Sequence, residues 1–260
     1  MNILVGGAGF VGSHLANYLL TLDQAVLVVD KIGCSYSEPG RAKVELPPLE
    51  LRSATKGHFL ELVREYMPRN IPGVGPNVFL SACYLAALDQ KVPRNLETAD
   101  SSVDGSDEDD LVDALEAGIV GAIVFGHALR DLVAESFLKR ILFFGSIYGS
   151  VAPDQRMYGV TVDTNWKPAH YSASRSAIQG ITRHFAALYG VFGCSSNCIV
   201  PGGIENGQDP VFVERYSEKS MFGRMVQLEE VSSAAAFLLG PQSAGITGQA
   251  LHVDGGFTSW

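Results

Sequence analysis

Three closely spaced glycines between an apolar strand and a helical pattern limit what this chain can fold into. The segment Val5-Gly6-Gly7-Ala8-Gly9-Phe10-Val11-Gly12-Ser13-His14-Leu15 places them at Gly6, Gly9 and Gly12. The strand-like Ile3-Leu4-Val5 precedes them, and apolar residues at helical spacing over Val11–Leu22 follow. In that setting one glycine permits a tight turn, one lets the backbone approach a ligand, and one lets the helix pack on the strand. Backbone amides at the helix start, around Phe10 and Val11, then face an anion such as a dinucleotide pyrophosphate.

The next apolar run, Ala25–Val29, ends in Asp30, 18 residues beyond Gly12 (30 − 12). A carboxylate there accepts hydrogen bonds from ribose hydroxyls and repels a 2′-phosphate, which favours NAD(H). Lys31 beside it leaves NADP(H) open. Downstream, strand and helix patterns alternate. Cys34–Pro48 is rich in Gly, Pro and Ser and reads mostly as loop, Leu49–Leu51 as a strand, His58–Met67 as a helix and Val78–Cys83 as a strand. The acidic run Glu97–Asp110 reads as a solvated turn whose last acids favour the positive end of a helix over Leu111–Ala134. Arg140–Phe144, Ser196–Val200 and Ala250–Val253 read as strands, Ser172–Tyr189 and Ser232–Leu239 as helices. This order predicts one α/β domain over residues 1–260, a doubly wound parallel sheet of the Rossmann type with helices on both faces.

Composition closes off other classes. A net charge of −9 argues against a nucleic-acid partner, because phosphate backbones are held by Lys and Arg surfaces. The four cysteines, Cys34, Cys83, Cys194 and Cys198, lack metal-ligand spacing and are too sparse for a disulfide framework. No metal site is expected. The longest apolar stretch, Ala117–Phe125, falls short of the ~20 residues that span a bilayer, so neither a membrane partner nor a signal peptide is read, and cytoplasmic residence is expected.

Further along, Phe143-Phe144-Gly145-Ser146-Ile147-Tyr148-Gly149 ends a strand pattern with a hydroxyl. His170-Tyr171-Ser172-Ala173-Ser174-Arg175 opens a helix with Tyr171 and Arg175 on one face, four residues apart. With Pro201-Gly202-Gly203 after the next strand, and Thr247-Gly248-Gln249 and Val253-Asp254-Gly255-Gly256 near the end, the chain resembles a short-chain dehydrogenase/reductase over its whole length. The resemblance implies Ser146 binding the substrate oxygen and Tyr171 as general acid/base. It puts Arg175 where the family holds a ribose-binding Lys, whose cation makes a phenol of ordinary pKa near ~10 usable at neutral pH. It further implies cofactor contacts from Ser81 and Ala82, from Pro201, Gly202, Gly203 and Ile204, and a closing lid over Glu205–Lys219. Arginine keeps the charge but cannot relay a proton. Other family marks are altered: Ser81-Ala82-Cys83-Tyr84 stands for Asn-Asn-Ala-Gly, Gly118 for a helix Asn, and Arg52-Ser53 replaces an Asp near the adenine.

Ser146 and Tyr171 are 25 residues apart (171 − 146), a longer spacing than in the common branch of the family. The segment around Ala152-Pro153-Asp154-Gln155-Arg156, and the ending Val253–Trp260, are similar to dehydrogenases of surface-polysaccharide and nonulosonate sugar pathways. That resemblance implies a sugar or sugar-nucleotide substrate, with Arg156 a candidate partner for its anionic group. His170 is a candidate for the cleft, whereas His14, His127 and His184 read as surface or packing residues. The expected function is NAD(P)-dependent interconversion of an alcohol and a carbonyl on a small molecule, in a homodimer or homotetramer. A redox-inactive nucleotide-binding homologue and a redox-neutral epimerase or dehydratase are the alternatives.

Overall fold

In the computed structural model, residues 2–5, 9–29, 34–37, 44–46, 80–85, 108–158 and 167–260 are described. They build one sheet of eight strands, β1 (Asn2–Val5), β2 (Val26–Val29), β3 (Cys34–Ser37), β4 (Val44–Leu46), β5 (Leu80–Tyr84), β6 (Leu138–Phe144), β7 (Ser195–Pro201) and β8 (Ala250–Val253), in the order β4-β3-β2-β1-β5-β6-β7-β8. The six strands from β2 to β8 across the sheet run parallel. Strand order reverses between β1 and β5, the point at which open α/β sheets leave a crevice beyond their carboxyl ends.

One edge departs from the expectation. Cys34–Pro48, read as loop, contains β3 and β4, which pair antiparallel with each other and with β2. The β-prone Tyr36 and Val44 flank Pro39-Gly40, a hairpin signature that the Gly/Pro/Ser content masks. The strand read at Leu49–Leu51 and the helix read at His58–Met67 lie outside the described residues.

Alternation along the strands explains the two packed layers. Ile3, Ala82, Tyr84, Ile141 and Phe143 face one layer, with Phe125, Leu129, Leu132, Ile178 and Phe185. Leu4, Cys83, Leu142 and Phe144 face the other, with Leu15, Leu19, Val231 and Ala235. The first layer is supplied by α3 (Gly121–Ala128), α4 (Arg130–Ala134) and α5 (Ala169–Gly190), the second by α1 (Phe10–Thr21) and α7 (Leu228–Leu239). Each large side chain buried this way contributes about 1.5–3 kcal/mol. The stretch Glu116–Ala134 is long and apolar enough to cross a membrane by length and composition (mean hydropathy 1.5), longer than the run noted in the sequence. Half of it is buried, and its apolar side chains Phe125, Leu129 and Leu132 are spent on the sheet.

That stretch is also not the single helix expected. It follows α2 (Glu108–Leu115), passes through one wide π turn over Glu116–Val120, and continues as α3 and α4. The cause is Tyr84, the last residue of β5. Its phenol inserts beside Gly121 and donates to the Ala117 carbonyl. A Cβ on residue 121 would lie 2.2 Å from the Tyr84 hydroxyl, so the insertion requires glycine there. A side chain wedged into the ladder of a helix is a recognised origin of such a break. Burial pushes the Tyr84 phenol well above its ordinary range, so it stays protonated as the donor.

Gly121→Ala is therefore expected to destabilise the protein by about 1–3 kcal/mol through overpacking, read as a Tm loss of about 2–4 °C per kcal/mol. Combining it with Tyr84→Phe, which removes the clashing oxygen, should cost less than the sum of the two single changes in urea unfolding. Additive costs would show that the phenol and Gly121 are not coupled.

Candidate active site

Four carboxyl strand ends, those of β1, β5, β6 and β7, border a cleft of about 690 Å³. Its wall includes Phe10, Val11, Leu85, Phe144, Ser146, Tyr171, Arg175, Pro201, Gly202, Gly203 and Ile204. The structure thus brings together three of the residues read as catalytic and most of those read as cofactor-binding. Gly9 is the N-cap of α1, and Gly12 is buried in its first turn. Gly6, Asp30 and Lys31 lie outside the described residues, as do Arg52 and Ser53.

Ser81 and Ala82 are placed differently. Both sit inside β5, paired with Asn2 and Ile3 of β1, and the Ser81 hydroxyl donates to the Leu239 carbonyl at 2.7 Å. Neither lines the cleft. The strand runs on to Tyr84, so the wall position belongs to Leu85, whose N–H donates to the Val5 carbonyl at 2.8 Å. Placing a strand's end from sequence is uncertain by a few residues, and here Leu85 rather than Ser81 or Ala82 stands at the cleft wall.

Ser146 follows β6 in extended conformation and caps a short 3-10 turn over Ile147–Gly149, its Oγ accepting from the Tyr148 N–H at 3.3 Å. The turn meets α5 so closely that a Cβ on Gly149 would lie 2.5 Å from the Arg175 carbonyl oxygen. This approach sets Ser146 beside the first turns of α5, where Tyr171 and Arg175 share a face. The Tyr171 ring has cations on two sides, the Lys167 Nζ 4.5 Å and the Arg175 Cζ 5.1 Å from its centroid, with the Tyr148 ring edge-on at 6.5 Å.

Arg175 is buried, and its Nη1 donates to the Phe144 carbonyl at 3.0 Å, at the end of β6. Its Nε has no hydrogen-bond partner. The guanidinium is therefore tied on one side to the strand end and holds one buried donor unmatched. Gly118, read in the sequence as the counterpart of a helix Asn, packs against α5: a Cβ there would lie 2.8 Å from the Ser174 Cβ. The helices are too close for an Asn, and the nearby carbonyl of Ala117 is taken by Tyr84. Tyr84 is the residue that sequence reading missed. Its signal was an aromatic residue ending a strand opposite the glycines at 118 and 121.

His170 is buried, does not line the cleft, and neither of its ring nitrogens has a hydrogen-bond partner. His14 links α1 to α7 through Ser232 (2.9 Å) and Glu229 (3.1 Å), while His127 and His184 pack against Phe185. Burial raises the thiols of Cys194 and Cys198 to about 12, so neither is a nucleophile near neutral pH.

The far side of the cleft is built from Met157, Tyr158 and Lys167, which lie between Ser146 and Tyr171, and from α6 (Pro210–Ser217). Asp209 caps α6, its Oδ1 accepting from the Val211 and Phe212 N–H groups. The two pieces are tied together. Asp154 forms two side-chain bonds with Arg156 (2.8 and 2.6 Å) and an ion pair with Lys219 beyond α6 (2.6 Å), and these partners hold its carboxyl far below the usual range. Tyr158 stacks obliquely on Phe212 at 5.2 Å. At the other end, the Gln155 amide clamps the Lys167 backbone, donating to its carbonyl at 2.9 Å and accepting from its N–H at 3.0 Å. Arg156 is thus neutralised by Asp154 and does not line the cleft, so the structure does not support it as the partner of an anionic substrate group.

The cleft has the features a dinucleotide needs. The first amides of α1 have neither a side-chain cap nor an acidic residue in their turn, which leaves the positive end of the helix available to phosphate. Leu85, Pro201 and Ile204 supply apolar walls, and Arg175 a cationic one.

Comparison with known proteins agrees with this layout. The family described as enoyl-(acyl carrier protein) reductase matches residues 107–258. A tropinone reductase homologue of Arabidopsis thaliana is 37% identical over 150 residues, covering 55% of this chain and 46% of its own. Galactitol 2-dehydrogenase (L-tagatose-forming) of Cereibacter sphaeroides is 30% identical over 118 residues, or 43% of this chain and 46% of its own. The chain spans about half the length of the curated relatives it matches. The crystal structure of a short chain dehydrogenase from Leptospira borgpetersenii with bound NAD+ has the same fold, with a TM-score of 0.76 at 24% identity over 99% of this chain and 92% of that one. With the family match running from the start of α2 to the last strand and beyond, the chain belongs to the short-chain dehydrogenase/reductase family.

Proposed function

We propose that this protein is an NAD(H)-preferring oxidoreductase that interconverts an alcohol and a carbonyl. The observation that carries the reading is the convergence of Ser146, Tyr171 and Arg175 on one cleft with the uncapped start of α1. A dinucleotide would be held by the amides from Gly9 to Gly12, by Arg175 and by the Pro201–Ile204 turn. When bound, its nicotinamide supplies or accepts hydride.

The chain's own residues do the rest. In reduction, Tyr171 gives its phenolic proton to the carbonyl oxygen as that oxygen gains negative charge. In oxidation, its phenolate takes the alcohol proton. The Ser146 hydroxyl holds the same oxygen, and the cations Lys167 and Arg175 beside the Tyr171 ring oppose the charge that proton transfer leaves there. Met157, Tyr158, Phe212 and Tyr216 wall the cleft against water. The substrate in this reading is a sugar or sugar derivative. The likeness to galactitol 2-dehydrogenase supports a polyhydroxy compound, and the longer Ser146–Tyr171 segment supports a tailored wall over it.

Two further parts belong to the same proposal. Val120, Ile123 and Leu188 leave apolar side chains exposed on the outer helices, a face that a second copy would cover in a homodimer or homotetramer. The thiols of Cys83, Cys194 and Cys198 are buried and unpaired, a state that fits the reducing cytoplasm.

A second reading, a nucleotide-binding homologue without turnover, is favoured by two observations. Arg175 spends a donor on the Phe144 carbonyl, and Gly118 supplies no side chain to a proton relay.

Tyr171→Phe should lower turnover by at least about a hundredfold while NADH binding changes little; full activity in that variant would refute the assignment. Arg175→Lys should raise turnover, because a shorter ammonium not tied to the Phe144 carbonyl is free to turn toward the cleft. A lower rate would mean that the tie to the strand end is itself needed. Thermal unfolding should rise more with NADH than with NADPH at equal concentration, by about 2.7 kcal/mol at a hundred times Kd, and Asp30→Ala should narrow the difference.

A further inference from the structure

The charges of the cleft run against those of the molecule. The chain carries a net −9, yet among the described residues the charged side chains lining the cleft are Lys167, Arg175 and Arg215 against Asp209 alone. Asp209 is occupied as the cap of α6. Arg175 faces the strand ends. Lys167 and Arg215 come from the two pieces that form the far wall, the segment clamped by Gln155 and the helix α6. Both are remote in the chain from the start of α1, where amides meet phosphate.

Arg215 is the more telling of the two. Its Nη1 donates to the backbone carbonyl of Arg156 at 3.2 Å, which aims the guanidinium across the seam between α6 and the extra segment. Among the described residues it forms no ion pair, although the neighbouring Arg156, Lys219 and Arg224 all do. A fork of N–H groups steered by a backbone carbonyl, in a cleft wall, matches the planar oxygens of a carboxylate or phosphate. Lys167 adds a point charge next to Tyr171, the Nζ lying 4.5 Å from the ring centroid.

We infer that Arg215 and Lys167 form an anion subsite, and that the substrate carries a carboxylate or phosphate group placed so that its alcohol or carbonyl reaches Tyr171. The inference rests on the reading of Tyr171 as the acid/base and narrows its substrate from sugars in general to anionic ones.

The test uses the full-length protein with saturating NADH, so that the helix start is already filled. Keto acids and phosphate-ester ketones are each paired with an uncharged amide or free alcohol, and the ratio of kcat/KM within each pair is measured. The wild type should prefer the charged member, and Arg215→Gln should cut that preference about tenfold or more, chiefly through KM. Arg156→Gln, a charge outside the cleft, should retain it. Thermal shifts with malonate and with inorganic phosphate give a readout that needs no turnover. A saturable shift with malonate alone identifies a carboxylate, with phosphate alone a phosphate, and either should weaken in Arg215→Gln and partly return in Arg215→Lys. Equal rates on both members of every pair, or an anion shift untouched by Arg215→Gln, would overturn the subsite while leaving the oxidoreductase standing. Absence of turnover on every compound would sink the oxidoreductase reading, and the thermal shifts would still judge the subsite.

Discussion

The close approach of the Ile147–Gly149 turn to the first turns of α5 is the contact on which the site depends. Backbone meets backbone there with no room for a Cβ on Gly149, so strand and helix are registered to a fraction of an ångström. β6 is buried between β5 and β7, and α5 is anchored below by Ile178, Phe185 and Tyr189. The serine at the end of one element and the tyrosine at the start of the other therefore both line the cleft from elements anchored in the core. Rigid elements hold catalytic groups more closely than loops do.

Much of this was legible in the chain itself. Short runs bounded by turn residues marked β6 and β7, strands buried on both faces, and longer patterned stretches marked α5 and α7. Tyr171 and Arg175 could be placed together from the four-residue spacing alone. What failed was local. The hairpin over Cys34–Leu46 hides behind residues that favour turns, and the end of β5 cannot be located from an apolar run that a tyrosine happens to extend. The break in the helix after Leu115 was invisible for a different reason. It is produced by a side chain from another strand, and no periodicity within the helix reports that.

Tyr84 and Arg175 together recast the departures from the family pattern. The tyrosine occupies the space beside Gly121 and the carbonyl of Ala117, and Arg175 lowers the energy of its ionised form against the larger cost of burial. A strand-end phenol, two glycines and a guanidinium thus fill one region by mutual fit. A side chain at residue 121 would meet the Tyr84 phenol, and one at residue 118 would meet Ser174.

The cover of the cleft is fastened by two unlike joints. The Gln155 clamp on Lys167 is an amide on a backbone, carries no charge, and holds regardless of acid or salt. The Asp154–Lys219 joint is ionic and open to water, with the Lys219 side chain 39% exposed, so dissolved ions loosen it. The joint beside Tyr171 is therefore indifferent to dissolved salt, whereas the outer one weakens as ionic strength rises.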